Sequence, residues 1–198
     1  MYKTIIMAIF AILMVVVIFL ATNLKDAYKT LPGTITDELK IVPYSDWNEF
    51  TPKTGLFKVR LPSTPQFANE TVNIPGTDLK RLYEMYAAEK INGAVFMVSV
   101  ITYPPSFPIT NNQELLHEVI DELVASNTNN RLLETRDGEF KSHPNVDFHM
   151  VNKEYDIEGK AFLVGKIMYV LTYVVKNTDY DTNDYQYFLN SFELTTKS

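Results

Sequence analysis

The arrangement of apolar and polar positions divides the chain into an unbroken apolar run, an aperiodic polar stretch and a long region of alternating elements. Residues 5–21 contain no charged or strongly polar side chain, with Lys3 before them and Thr22-Asn23 after. As a helix this run is about 25 Å long, enough to cross the hydrocarbon core with some local thinning of the bilayer. It is longer than the apolar core of a usual secretory signal, and Phe19-Leu20-Ala21 puts a bulky ring where a cleavage site needs a small side chain. Residues 1–25 are therefore expected to be an uncleaved N-terminal membrane anchor. Residues 26–45, with Lys, Thr, Pro32 and Gly33, are expected to be a linker, and residues 46–198 one folded domain.

Within the domain the pattern shifts to the period of strands. Phe57, Val59 and Leu61 alternate with Lys58 and Arg60 before Pro62, so the three apolar residues face inward. Two extended runs, 79–89 and 94–103, flank Asn92-Gly93 and predict an antiparallel hairpin; Pro104, Pro105 and Pro108 then stop further pairing. Over 112–126 the period becomes helical, with Leu115, Leu116, Val119, Ile120, Leu123 and Val124 on one stripe and Asn111 at the cap with Glu114 three residues on. Four extended stretches follow, 131–141, 145–151, 160–164 and 167–176, the last two joined by Gly165-Lys166. In 167–176 both alternating sets are apolar, Met168, Val170 and Val174 against Ile167, Tyr169, Leu171 and Val175, as expected of a central strand in a sheet covered on both faces. A second helix over 182–192, capped by Asp181, carries Tyr185, Phe188, Leu189 and Phe192 on one face, and a short strand closes the chain. With no alternating β-α units and no glycine-rich phosphate loop, the order predicts an α+β fold, an antiparallel sheet covered by helices.

Two segments resemble a known family. Phe57-Lys58-Val59-Arg60-Leu61-Pro62 looks like the F-x-V-x-x-P entry of PsbP-like domains. The run from Lys160 through Gly165-Lys166 to Leu171, followed by Phe188-Leu189-Asn190-Ser191-Phe192, resembles that family's ending of strand, turn, Tyr-containing strand and a helix closing on Ser-Phe. The chain is also similar to uncharacterised membrane-anchored exported bacterial proteins of this type. The resemblance spans residues 47–195 and implies a PsbP-like α/β/α sandwich. It also implies a binding or assembly module, since the family includes an extrinsic subunit docked on a photosynthetic membrane complex. This chain departs from the photosynthetic members in its anchor and in lacking a recognisable docking tail, so a photosystem role is not carried over.

Composition narrows the function classes. The chain is 46% apolar with a net charge of −6, and its four arginines, Arg60, Arg81, Arg131 and Arg136, are dispersed, so a nucleic-acid partner is not expected. With no cysteine, disulfides, thiolate metal sites and a cysteine nucleophile are excluded. No cofactor and no metal is expected. The expected localisation is the inner (cytoplasmic) membrane, single-pass, with the domain on the non-cytoplasmic side.

Catalytic signals are weak. Of the three histidines, His117 adjoins the first helix's apolar stripe, His143 precedes Pro144 at a turn, and His149 shares a strand face with Asp147. Asp147 and His149 could be a base and its orienting carboxylate, but residues two apart on a strand are more often surface neighbours, and the G-x-S-x-G nucleophile motif is absent. Glu154, Asp156 and Glu158 crowd an expected bend. Asp179, Asp181 and Asp184 gather at the second helix without the loop of an EF-hand, and caps and solvated loops account for them, leaving calcium there as the alternative. The tyrosines, among them Tyr83, Tyr86, Tyr103, Tyr180, Tyr185 and Tyr187, are expected mainly as core filling. The rigid loop 104–108 presents Pro105 and Phe107 as candidate partner contacts. The resulting expectation is a non-enzymatic, membrane-held protein-interaction module of the envelope, with a small-molecule or lipid-binding domain as the alternative.

Overall fold

The computed structural model describes residues 43–195, so the expected anchor and nearly all of the expected linker lie outside the described residues. Ten strands are described: β1 (Asn48–Phe50), β2 (Phe57–Leu61), β3 (Gln66–Asn73), β4 (Lys80–Glu89), β5 (Val95–Thr102), β6 (Asn130–Phe140), β7 (His143–Asn152), β8 (Tyr155–Val164), β9 (Ile167–Lys176) and β10 (Glu193–Leu194). Helix α1 (Asn112–Ala125) follows β5, and α2 (Thr182–Ser191) precedes β10. A seven-stranded antiparallel sheet runs in the order β3-β4-β5-β9-β8-β7-β6, beside a three-stranded sheet β1-β2-β10.

The doubly apolar β9 lies inside the large sheet, between β5 and β8. Its Met168, Val170 and Val174 enter a core with Leu115, Leu116, Val119 and Ile120 of α1. Its Tyr169, Leu171, Tyr173 and Val175 enter a second core with Tyr185, Phe188 and Leu189 of α2, Phe192, and Phe57, Val59 and Leu61 of the small sheet. Both faces of the central strands are therefore filled, one by a helix and the other by a helix together with a second sheet. Asn111 caps α1, its Oδ1 accepting from the backbone N–H of Gln113 and Glu114, and Asp181 caps α2 by accepting from Asn183 N–H.

The turns follow the chain's glycines, with one departure. Gly165 opens a two-residue turn at φ 61° between the paired Val164 and Ile167. At Asn92-Gly93, where the sequence predicts a tight hairpin turn, only Gly93 has positive φ, 86°, and its N–H bonds Lys90 O. The hairpin there closes through a longer loop ending in a left-handed glycine.

Several boundaries move. Strand β3 had no counterpart in the apolar pattern, because only Val72 of its eight residues is buried. Strand β8 begins at Tyr155, so Asp156 and Glu158 lie within a strand rather than on a bend. Tyr44, expected in the linker, stacks on Tyr187 at 4.4 Å and meets Trp47, which is 2% exposed.

Tyrosine burial gives a pH signature. Burial pushes the Tyr169 phenol up to about 12, and burial with the nearby Glu84 carboxylate does the same for Tyr86. A phenol whose pKa is raised on folding contributes stability that is complete below its unfolded value of about 10 and is lost as pH rises through the folded value. The urea midpoint is therefore expected to hold steady up to about pH 10 and to fall between there and about pH 12. In Tyr169→Phe this alkaline fall should be shallower; an unchanged profile would show that the phenol is hydrated in solution.

Candidate functional site

At the β6-β7-β8 end, the two sheet faces differ. Towards α1, Val146, Phe148, Met150, Ile157 and Ala161 are buried. On the opposite face polar residues occupy positions 134 and 136 of β6 and 145, 147 and 149 of β7. The registers set them in two cross-strand rows, Arg136↔Asp147↔Lys160 and Glu134↔His149↔Glu158.

The β7 and β8 members of these rows floor an open groove of about 520 Å³, with Glu134 and Arg136 of β6 along one rim and Tyr180 with Thr182, Tyr185, Gln186, Leu189 and Asn190 of α2 along the other. Lys160 is 9% exposed, with its ammonium bonded to Asp147 Oδ1 and set 5.1 Å from the Phe140 ring centroid. Asp147 also accepts from Asn145 Nδ2 at 3.2 Å and lies 3.5 Å from Arg136. His149 Nε2 meets Asp156 Oδ1 at 3.0 Å. Tyr180 donates to Glu158 at 2.5 Å; burial first and this bond next push its phenol up to about 12, which keeps it a neutral donor near neutral pH.

The histidine at this site is the one singled out by sequence, but its carboxylate partner is another. Asp147 shares the face of His149 yet is held by Lys160, and Asp156, just past the β7-β8 turn, takes the imidazole. Only the register between strands brings Asp156 there, and strand periodicity does not contain it. No hydroxyl hydrogen-bonds His149 among the described residues. His117 bonds Asp137 across the α1 face at 2.8 Å, and His143 opens β7 next to the turn.

The acidic residues at α2 are each engaged. Asp181 caps the helix, Asp179 accepts from Thr178, and Asp184, 1% exposed, receives Lys90 Nζ at 2.7 and 2.8 Å. In the loop 104–108, Pro105 is exposed. Phe107 instead turns inward, half-buried, stacked on Tyr103 at 5.0 Å and packed against the α1 core, and its carbonyl accepts from Lys166. Of the tyrosines, Tyr83, Tyr86, Tyr103 and Tyr185 are buried, Tyr187 is half-buried and Tyr180 is 36% exposed.

No protein-family model and no curated protein matches the chain. Among solved structures, it is similar to the solution structure of cyanobacterial PsbP (CyanoP) from Synechocystis sp. PCC 6803, at 9% identity and a TM-score of 0.49, covering 83% of this chain and 100% of that one. It is also similar to a crystal structure of PA94 from Pseudomonas aeruginosa, described as a putative regulator, at 8% identity and a TM-score of 0.38, covering 67% of this chain and 85% of that one.

Proposed function

We propose that this chain is a membrane-held binding module whose domain recognises a protein partner of the cell envelope and performs no chemistry of its own. In this reading residues 1–25 anchor the chain in the cytoplasmic membrane and residues 46–198 stand on the non-cytoplasmic side. The observation that supports it best is how the sheet is filled. Aromatic and aliphatic side chains close the spaces under α1 and under α2 with the small sheet, while the accessible concavity over β6–β8 is open and lined by charges. Small-molecule sites are usually enclosed and mostly apolar, whereas a polar, wet surface with a few aromatic edges suits a macromolecular partner. Pro105 is a second proposed contact. Phe107 supports the loop from inside, so a charged residue there would disturb packing before it tested binding.

The small-molecule alternative draws support from the groove's volume of about 520 Å³, within the range of ligand pockets. Its charged floor disfavours an acyl chain. In-cell crosslinking of the tagged full-length chain in its host, followed by identification of what co-purifies from the solubilised membrane, separates the readings. A stoichiometric protein partner is expected. A chain that instead carries a defined small molecule in native mass spectrometry, with no protein partner, would replace this reading with the alternative.

A further inference from the structure

The floor and the rims of the groove differ in how their polar groups are satisfied. On the floor, Lys160 is matched to Asp147, His149 to Asp156 and Glu158 to Tyr180. On the rims, Glu134 of β6 and Gln186 and Asn190 of α2 have side chains without a hydrogen-bond or ion-pair partner among the described residues. Arg136, with a side chain 76% exposed, reaches Asp147 only at 3.5 Å.

The rims also share a repeat. Gln186 and Asn190 stand four residues apart on a helix, about 6 Å along its axis. Glu134 and Arg136 stand two apart on a strand, about 6.7 Å. An extended polypeptide repeats its side chains on one face at about this same 6.7 Å. Each carboxamide offers both a donor and an acceptor, as a main-chain peptide group requires. The opposite rim offers an anion and a cation in sequence.

Resting on the partner-module reading above, we propose that the groove takes an extended segment of the partner polypeptide. Gln186 and Asn190 hold its main chain, and Glu134 and Arg136 select a basic and an acidic side chain placed two residues apart. A uniformly anionic segment would meet Glu134 on the rim and a uniformly cationic one Arg136, so neither suits the site.

The test places a photoreactive amino acid at position 186, and in a second variant at position 105, in the full-length chain in its host, and maps captured products by peptide mass spectrometry. At 186 the expected product is a defined protein segment with a basic and an acidic residue two apart. Exchanging the rim charges, E134R with R136E, keeps the net charge and should lower that capture about tenfold at an unchanged thermal midpoint. Reversing the two residues in the partner should restore it. If the exchange itself lowers the midpoint, Glu134→Gln with Arg136→Gln gives the same readout. Capture at 186 of lipid or glycan alone, of a segment without the charge pair, or of the same product after the exchange overturns the proposal. Protein captured at 105 but not at 186 removes the groove assignment and leaves the module reading standing; protein captured at neither removes both.

Discussion

Lys90→Met is expected to destabilise the domain by about 3–5 kcal/mol, among the largest losses available from a single substitution outside the aromatic cores. Lys90 lies at the β4-β5 hairpin, and its ammonium meets both oxygens of Asp184 in the first turn of α2. The Asp184 carboxylate is 1% exposed and sits on a short side chain, so removing the lysine leaves a buried anion that cannot reach water. The N-terminal end of the helix dipole offsets only part of that cost. Asp184→Ala should cost less, because the long stem of Lys90 can carry its charge outward. The double variant Lys90→Met with Asp184→Leu should recover most of the loss, since burying two apolar side chains leaves no stranded charge. Urea denaturation of the four proteins reads this directly. Near-equal, small losses for both single variants would mean the pair is hydrated in solution.

Gly159→Ala is expected to cost about 3 kcal/mol although it adds one methyl group. A Cβ at Gly159 would lie 2.0 Å from Cζ of Phe148, the residue it faces across the β7-β8 ladder. That ring is 3% exposed in the α1 core and has no free volume to enter, so the methyl must displace packed neighbours. Glycine is required here by the close approach of an aromatic ring rather than by backbone conformation. Phe148→Leu in the same chain should return part of the loss, a coupling that a double-mutant cycle in urea quantifies. Additive losses would place the ring elsewhere.

What could be read from the chain follows from where side-chain chemistry and position coincide. The two apolar sets of β9, the stripe of α1 and the caps at Asn111 and Asp181 were legible because burial imposes a period and capping imposes a residue type. Strand β3 was not legible, since it is held by backbone pairing with β4 while its side chains face solvent. The turn at Lys141 and Ser142 was hidden for another reason: both residues are left-handed, at φ 51° and 63°, a conformation normally signalled by glycine or asparagine. At the site, periodicity placed His149 and Asp147 on one face, but partners were chosen across strands, where sequence separation carries no signal. Gln186 and Asn190 carry no signal in the sequence, because exposed amides on a helix are ordinary until the opposite wall is known.

The strand order also has a consequence for how the domain assembles. Strands β3-β4-β5 and β6-β7-β8-β9 form two meanders of sequence-adjacent pairs, which close short loops and can form early. The join between them, β5 to β9, brings together strands separated by α1 and three further strands, and it is the slow, entropically demanding step. Until it closes, each half presents the edge of a strand that is apolar on both faces, the kind of edge most prone to pairing with a foreign strand. The middle of the finished sheet is therefore where the newly made chain is most vulnerable to aggregation.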